Sequence, residues 1–130
     1  DSEAFFLLAI GNGLLEDPPA ALARTVAQVR GVMEAERVSE PFRMTAAFAD
    51  GTSLCALRVS TDDRPPSLFF AEGGEVEVEA GEVRMRPGRG SILVMSEPLD
   101  AHDEAWREVP PGHVLESRGG VARVSALAAA

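Results

Sequence analysis

The sequence contains no lysine: all 12 of its basic residues are arginines, set against 21 acidic residues for a formal net charge of -9. A surface this acidic repels phosphates, which disfavours nucleic acid and anionic membrane as partners. Solubility alone accounts for such a charge. Cysteine is scarce as well, and the single Cys55 excludes an intrachain disulfide and gives no sign of an oxidising compartment. No apolar run approaches the ~20 residues needed to span a bilayer, and the first residues lack a charged stretch followed by an apolar one. A cytoplasmic location is expected. There is also no initiating methionine. The chain opens on Asp1-Ser2-Glu3, which already reads as a helix start, so further residues upstream are expected.

What is present describes an ordinary globular domain. The 130 residues are 45% hydrophobic and 25% charged, which excludes disordered, collagen-like and coiled-coil classes. At this length one core is expected, burying roughly two thirds of the unfolded surface.

The hydrophobic pattern changes period once along the chain. Ser2 is a good N-cap, Glu3 suits the first turn, and Phe5, Phe6, Leu8 and Ala9 give an apolar helix to about Ile10. Gly11-Asn12-Gly13 can close it, and Asp17-Pro18-Pro19 opens a second helix whose apolar stripe is Leu22, Val26, Val29 and Met33. After Glu40-Pro41 the period becomes two. Phe42, Met44, Ala46 and Phe48 alternate up to Asp50-Gly51, a strong hairpin signal, with a returning strand over 52–60. A loop at 61–66 and a strand over 67–71 follow, then a turn at Glu72-Gly73-Gly74 and an alternating strand over 75–80. The continuous run Ile92-Leu93-Val94-Met95 suits a strand covered on both faces, and a last hairpin joins 113–117 to 121–125 across Arg118-Gly119-Gly120. Two helices followed by about six mostly antiparallel strands define an α+β fold, with the helices on one face of a sheet. The second face of the Ile92 to Met95 strand then needs a cover that two helices do not provide.

Several residues invite a chemical reading. Cys55 lies between Leu54 and Ala56-Leu57, with no histidine or basic neighbour in sequence to lower its pKa, and reads as a buried structural thiol. His102, Asp103, Glu104 and His113 have none of the spacings of a recurrent metal site, and a solvated charged loop is the simpler reading. Asn12-Gly13 could form an oxyanion hole, but its position after a helix favours a cap. Arg84, Arg86 and Arg89 around Pro87-Gly88 could grip a carboxylate or phosphate, although surface ion pairing suffices amid so many acids. Trp106, ahead of Val109-Pro110-Pro111-Gly112, reads as an anchor for the last hairpin. By residue chemistry alone the sequence describes an α+β domain without a complete active site. No metal or cofactor is expected.

Three segments, in order, resemble the latter part of class II glutamine amidotransferase domains. These are Asp1-Ser2-Glu3 opening an apolar helix, the hairpin from Phe42 to Leu57-Arg58-Val59-Ser60, and Ile92-Leu93-Val94-Met95-Ser96-Glu97-Pro98-Leu99 followed by Trp106 and Val109-Pro110-Pro111-Gly112. The likeness is to the branch of small stand-alone proteins that includes an ergothioneine-pathway γ-glutamyl amidase.

The resemblance implies the second half of an Ntn-hydrolase αββα sandwich, with residues 1–130 as the C-terminal part of one domain and its N-terminal catalytic part absent. In such enzymes an N-terminal cysteine attacks the glutamine side-chain amide, using its own α-amino group as base, and releases ammonia through a γ-glutamyl thioester. An arginine for the substrate carboxylate and an Asn-Gly oxyanion pair also lie upstream of the Asp-Ser-Glu element. No catalytic residue of the family therefore falls in this chain, and neither Cys55 nor Asn12-Gly13 stands in the right place to substitute. The one position that carries over is Asp1, whose counterpart binds the α-ammonium of glutamine. Expected partners are glutamine or another γ-glutamyl amide, the upstream segment and, as an option, a second copy. A non-catalytic scaffold or binding subunit that keeps the fold is the alternative, and an unrelated α+β binding module is a further one.

Overall fold

A computed structural model describes residues 1–99 and 105–128, with the backbone alone at 74–75 and 84–89. The chain divides into two compact units, Asp1–Phe42 with Ala126–Ala130, and Arg43–Ser125.

The first unit holds the two helices, α1 (Ser2–Gly11) and α2 (Pro18–Ala35). The cap of α1 is Asp1 and not Ser2: the Asp1 carbonyl accepts the first helical bond from the Phe5 amide at 3.2 Å, and its Oδ1 accepts from the Ala4 amide at 3.0 Å. Those are the two marks of an N-cap, so Ser2 falls in the first turn. Asp17 caps α2 in the same way, accepting from Ala20 at 3.1 Å, with prolines in the first turn. Gly13, at φ +93°, turns the chain between the helices. Leu22 and Val26 of the α2 stripe are buried, Val29 and Met33 half-buried, and Phe5 stacks on Phe42 with ring centroids 6.1 Å apart. By contrast α1 is apolar on almost every side, yet only Phe5 and Ala9 are buried; Phe6, Leu7 and Leu8 are exposed.

The second unit is built from two antiparallel sheets. One has the order β1 (Arg43–Ala49), β2 (Ser53–Ser60), β6 (His113–Arg118), β7 (Val121–Ala126); the other has the order β4 (Glu82–Met95), β3 (Phe69–Glu79), β5 (Arg107–Glu108). The hairpin over Asp50-Gly51 forms as expected. Asp50 accepts from the Thr52 and Ser53 amides at 2.8 and 2.7 Å, and Gly51 takes φ +88°. The last hairpin turns at Gly119-Gly120, with φ +62° and +76°.

Glu72-Gly73-Gly74 is not a turn. β3 runs straight through it, and the register with β4 shifts between Glu72 and Gly74, with Gly73 at φ +66°. That is a bulge, the other structure that glycine inside a strand permits. Two expected strands thus merge into one of 11 residues, and the turn moves to Ala80-Gly81. β4 is correspondingly longer than the apolar run that announces it. Being an edge strand, it leaves Ile92 to Met95 half-buried; Ile92 and Val94 pack on the core, while Leu93 and Met95 lie on the opposite face.

The core between the sheets is Ala56, Leu68, Phe70, Val109 and Leu115, with Leu54, Ile92, Val94, Ala122 and Val124 packed against it. Both sheets contribute, so they stack face to face. β2 is buried on both faces: Leu57 and Val59 lie opposite Ala56 and are as inaccessible. Neither helix is long and apolar enough to cross a membrane.

Candidate functional site

Each residue with chemical potential can be followed to its surroundings. Cys55 is a buried free thiol in β2, opposite Glu116 of β6. Burial, reinforced by the Glu116 charge, pushes its pKa up to about 12. A thiol so reluctant to ionise is no nucleophile at neutral pH.

Asn12 ends α1, and both donors of its side-chain amide are engaged. Its Nδ2 donates to Thr25 Oγ1 at 3.0 Å and to Gln28 Oε1 at 2.8 Å, while its carbonyl accepts from Arg24 Nε at 3.2 Å and Nη2 at 2.5 Å. The pair Asn12-Gly13 ties one helix to the other and has no amide donors left to serve as an oxyanion hole. Trp106 is buried just before β5. His113 Nδ1 lies 2.8 Å from the Pro111 carbonyl, at the start of β6. His102, Asp103 and Glu104 fall outside the described residues. Among the described residues no group of three or more His, Cys, Asp or Glu is placed to hold a metal ion. The side chains of Arg84, Arg86 and Arg89 are likewise outside the description, with their backbone in β4.

Two clusters escape the sequence reading. Arg58, in the middle of an apolar strand, is buried and donates to the Pro66 carbonyl at 2.8 Å, to Glu108 Oε1 at 2.6 Å and to the Val109 carbonyl at 2.6 Å. Its own carbonyl accepts from the Gly112 amide at 2.9 Å. One arginine thus ties β2 to the loop before β3 and to the segment around β5. The available signal was its alternation: Arg58 shares the strand face of core residue Ala56.

The second cluster closes the open end of the first hairpin, where Asp62 accepts from Arg43 and from the Ser60 hydroxyl. The hydrogen bonds from Arg43 and then Ser60 hold the Asp62 carboxyl well below the usual carboxylate range. A hydroxyl beside a carboxylate suggests a nucleophile and base, but so weak a base cannot activate Ser60.

Asp1 is exposed at the N-terminus of α1, and its Oδ1 is held by a neutral amide donor. It stands at the positive end of a helix dipole. The described residues therefore offer a two-sheet frame and, at the start of α1, an exposed capping carboxylate at the position the resemblance singles out.

Two helices followed by mostly antiparallel strands make the chain α+β, in keeping with the class II glutamine amidotransferase-like fold of the solved structure it resembles. A solved structure of a glutamine aminotransferase class-II domain protein from Silicibacter pomeroyi is similar to it over 100% of its length, with 34% sequence identity and a TM-score of 0.75. The chain spans about half of that protein, 52% of its length. No family model matches the sequence, and no curated protein does.

Proposed function

We propose that residues 1–130 are the C-terminal part of a single amidotransferase domain that hydrolyses a γ-glutamyl amide, glutamine to glutamate and ammonia. The likeness of the whole chain to about half of the Silicibacter pomeroyi protein carries this reading. In it, the nucleophilic cysteine and the oxyanion donors belong to a portion upstream of Asp1, and the whole is an αββα sandwich working in the cytoplasm. The exposed apolar residues Phe6, Leu7 and Leu8 on α1 support it, since a helix apolar all round is normally covered. The ergothioneine-related branch is the finer assignment.

Asp1 has the role of binding the α-ammonium of the substrate. Its Oδ1 caps the helix and Oδ2 pairs with the ammonium, several bonds from the amide that is cut. Such a contact is the same in ground and transition states, so its loss raises KM more than it lowers kcat. A hydrogen bond to a charged group contributes about 1.5–3 kcal/mol, which makes Asp1→Asn weaken binding roughly ten- to a hundredfold. Asparagine caps helices as well as aspartate does, so the substitution leaves α1 intact and isolates the ligand role.

The experiment is steady-state release of glutamate and ammonia from glutamine and γ-glutamyl conjugates by the complete protein, with and without Asp1→Asn. Residues 1–130 alone are expected to release none. Hydrolysis by the isolated chain overturns the division of the domain, an unchanged KM removes Asp1 from the site, and a complete protein with no hydrolysis is the scaffold.

A further inference from the structure

Beyond the register shift at Gly73, β3 and β4 run on as a two-stranded arm, residues 74–87. β5 pairs with β3 only at Phe69 and Phe70, so along the arm the two strands have only each other among the described strands. Alternation sorts the arm onto two faces. The pairs Val76–Met85 and Val78–Val83 fall on one; Glu75–Arg86, Glu77–Arg84 and Glu79–Glu82 fall on the other. In an antiparallel ribbon that lies on its own protein, the charged face meets water and the apolar face is covered. Here the valines meet water. Val76, Val78 and Val83 are 47%, 70% and 40% exposed, and Glu77 on the charged face is less exposed than any of them. Two strands with an uncovered apolar face are marginally stable in water, so the arm is half of a layered structure.

Charge decides what supplies the other half. The arm and its base carry four glutamates, at 75, 77, 79 and 82, against three arginines, at 84, 86 and 89, so nearly all of the net charge of -9 lies elsewhere. Two copies of so acidic a chain repel each other over most of their surface and least at the arm. The distribution along the arm then selects the way they meet. Three of the glutamates lie on β3 and all three arginines on β4. Joining like edges of two copies would set like charges side by side, which is unfavourable. Joining unlike edges is head-to-tail and leaves an unpaired edge at each end of a dimer. Packing face to face does neither: the valines turn inward, the charged faces stay in water, and two ribbons make a small sandwich closed by a two-fold axis.

We propose that the arm is a self-association surface whose occupant is the arm of a second copy, packed valine face to valine face. A standard interface buries about 800 Å² on each partner, and a strip of three exposed valines falls well short of that. The dimer is therefore weak, with a dissociation constant on the order of 100 μM, and it forms independently of any hydrolysis.

The test is sedimentation of the complete protein over a hundredfold range of concentration centred on about 100 μM, with Val78→Glu and, as the matched control, Val121→Glu. The two valines are equally accessible, at 70% and 71%. The unsubstituted protein and Val121→Glu are expected to pass from monomer to dimer, and Val78→Glu to associate at least tenfold more weakly. Val78→Cys reads the same face without adding a charge: its reaction with a maleimide is expected to be fast in the dilute monomer and to slow as the dimer fills. A monomer at every concentration overturns the proposal, and so does a dimer indifferent to Val78→Glu. Slow labelling of Cys at 78 in a sedimenting monomer overturns it as well, because the face is then covered within its own chain.

Discussion

Removing Arg58 should be the most damaging single polar substitution in the second unit, and the reason lies in what it leaves behind. Arg58→Met keeps much of the aliphatic stem in the core but withdraws donors from two carbonyls, Pro66 and Val109, and from the Glu108 carboxylate. The Val109 carbonyl is buried, and left without a partner it costs about 1–3 kcal/mol, whereas Pro66 is exposed and its carbonyl can turn to water. The ion pair itself adds little, because the Glu108 side chain is 54% exposed and water replaces its partner. A total of about 2–4 kcal/mol follows from the Val109 carbonyl and the lost contacts. At a urea slope of about 2 kcal/mol/M the unfolding midpoint falls by about 1–2 M. Glu108→Gln is the companion variant, expected to cost about 1 kcal/mol or less. Urea unfolding of the complete protein, followed by circular dichroism, measures both. If Arg58→Met shifts the midpoint no further than Glu108→Gln, the carbonyls find water when the guanidinium leaves, and the account of Arg58 as the tie between β2 and β5 is refuted.

Cys55 should be silent: Cys55→Ala is expected to leave turnover unchanged, and abolished turnover in a folded variant would contradict that. Its folded pKa of about 12 lies above the ordinary thiol value of 9.0, so its contribution to stability is complete below about pH 9 and is lost as pH rises towards 12; a Cys55→Ala variant should show a shallower alkaline loss of thermal midpoint. Gly120→Ala should unfold the last hairpin, because the new Cβ would stand 2.4 Å from the Gly90 carbonyl carbon and 2.6 Å from its Cα, both backbone. Gly51→Ala, at a similar φ of +88° but with nothing within 4 Å, should cost only the left-handed strain of about 1–2 kcal/mol, and equal losses at the two sites would sink the steric argument.

The elements were legible where one physical signal governed them. A capping aspartate with two prolines marks α2, and Asp-Gly between alternating runs marks the first hairpin, because both signals act within four residues. The bulge in β3 was not legible, since Gly73-Gly74 satisfies a turn and a bulge equally and only pairing with β4 decides between them. Arg58 was hidden for a related reason. An arginine in a strand normally faces water, and its three acceptors come from residues 66, 108 and 109, far along the chain.

Asp1 differs from Asp62 and Asp50 in how its charge is held, and shares the helix-cap arrangement with Asp17. The Asp62 charge is matched by the Arg43 guanidinium, and the Asp50 carboxylate is surrounded by the Thr52 and Ser53 amides and hydroxyls of its own turn. Either could take up a ligand ammonium only by giving up contacts that hold the turn or the hairpin end. Asp1 accepts one amide through Oδ1 and sits at the positive end of α1, which stabilises the anion without neutralising it. Pairing with an ammonium would then leave the cap in place, so binding would cost no helical structure. This is why a helix-capping aspartate can serve as both a structural and a substrate-binding residue, and why the test of its second role must be a substitution that preserves the first.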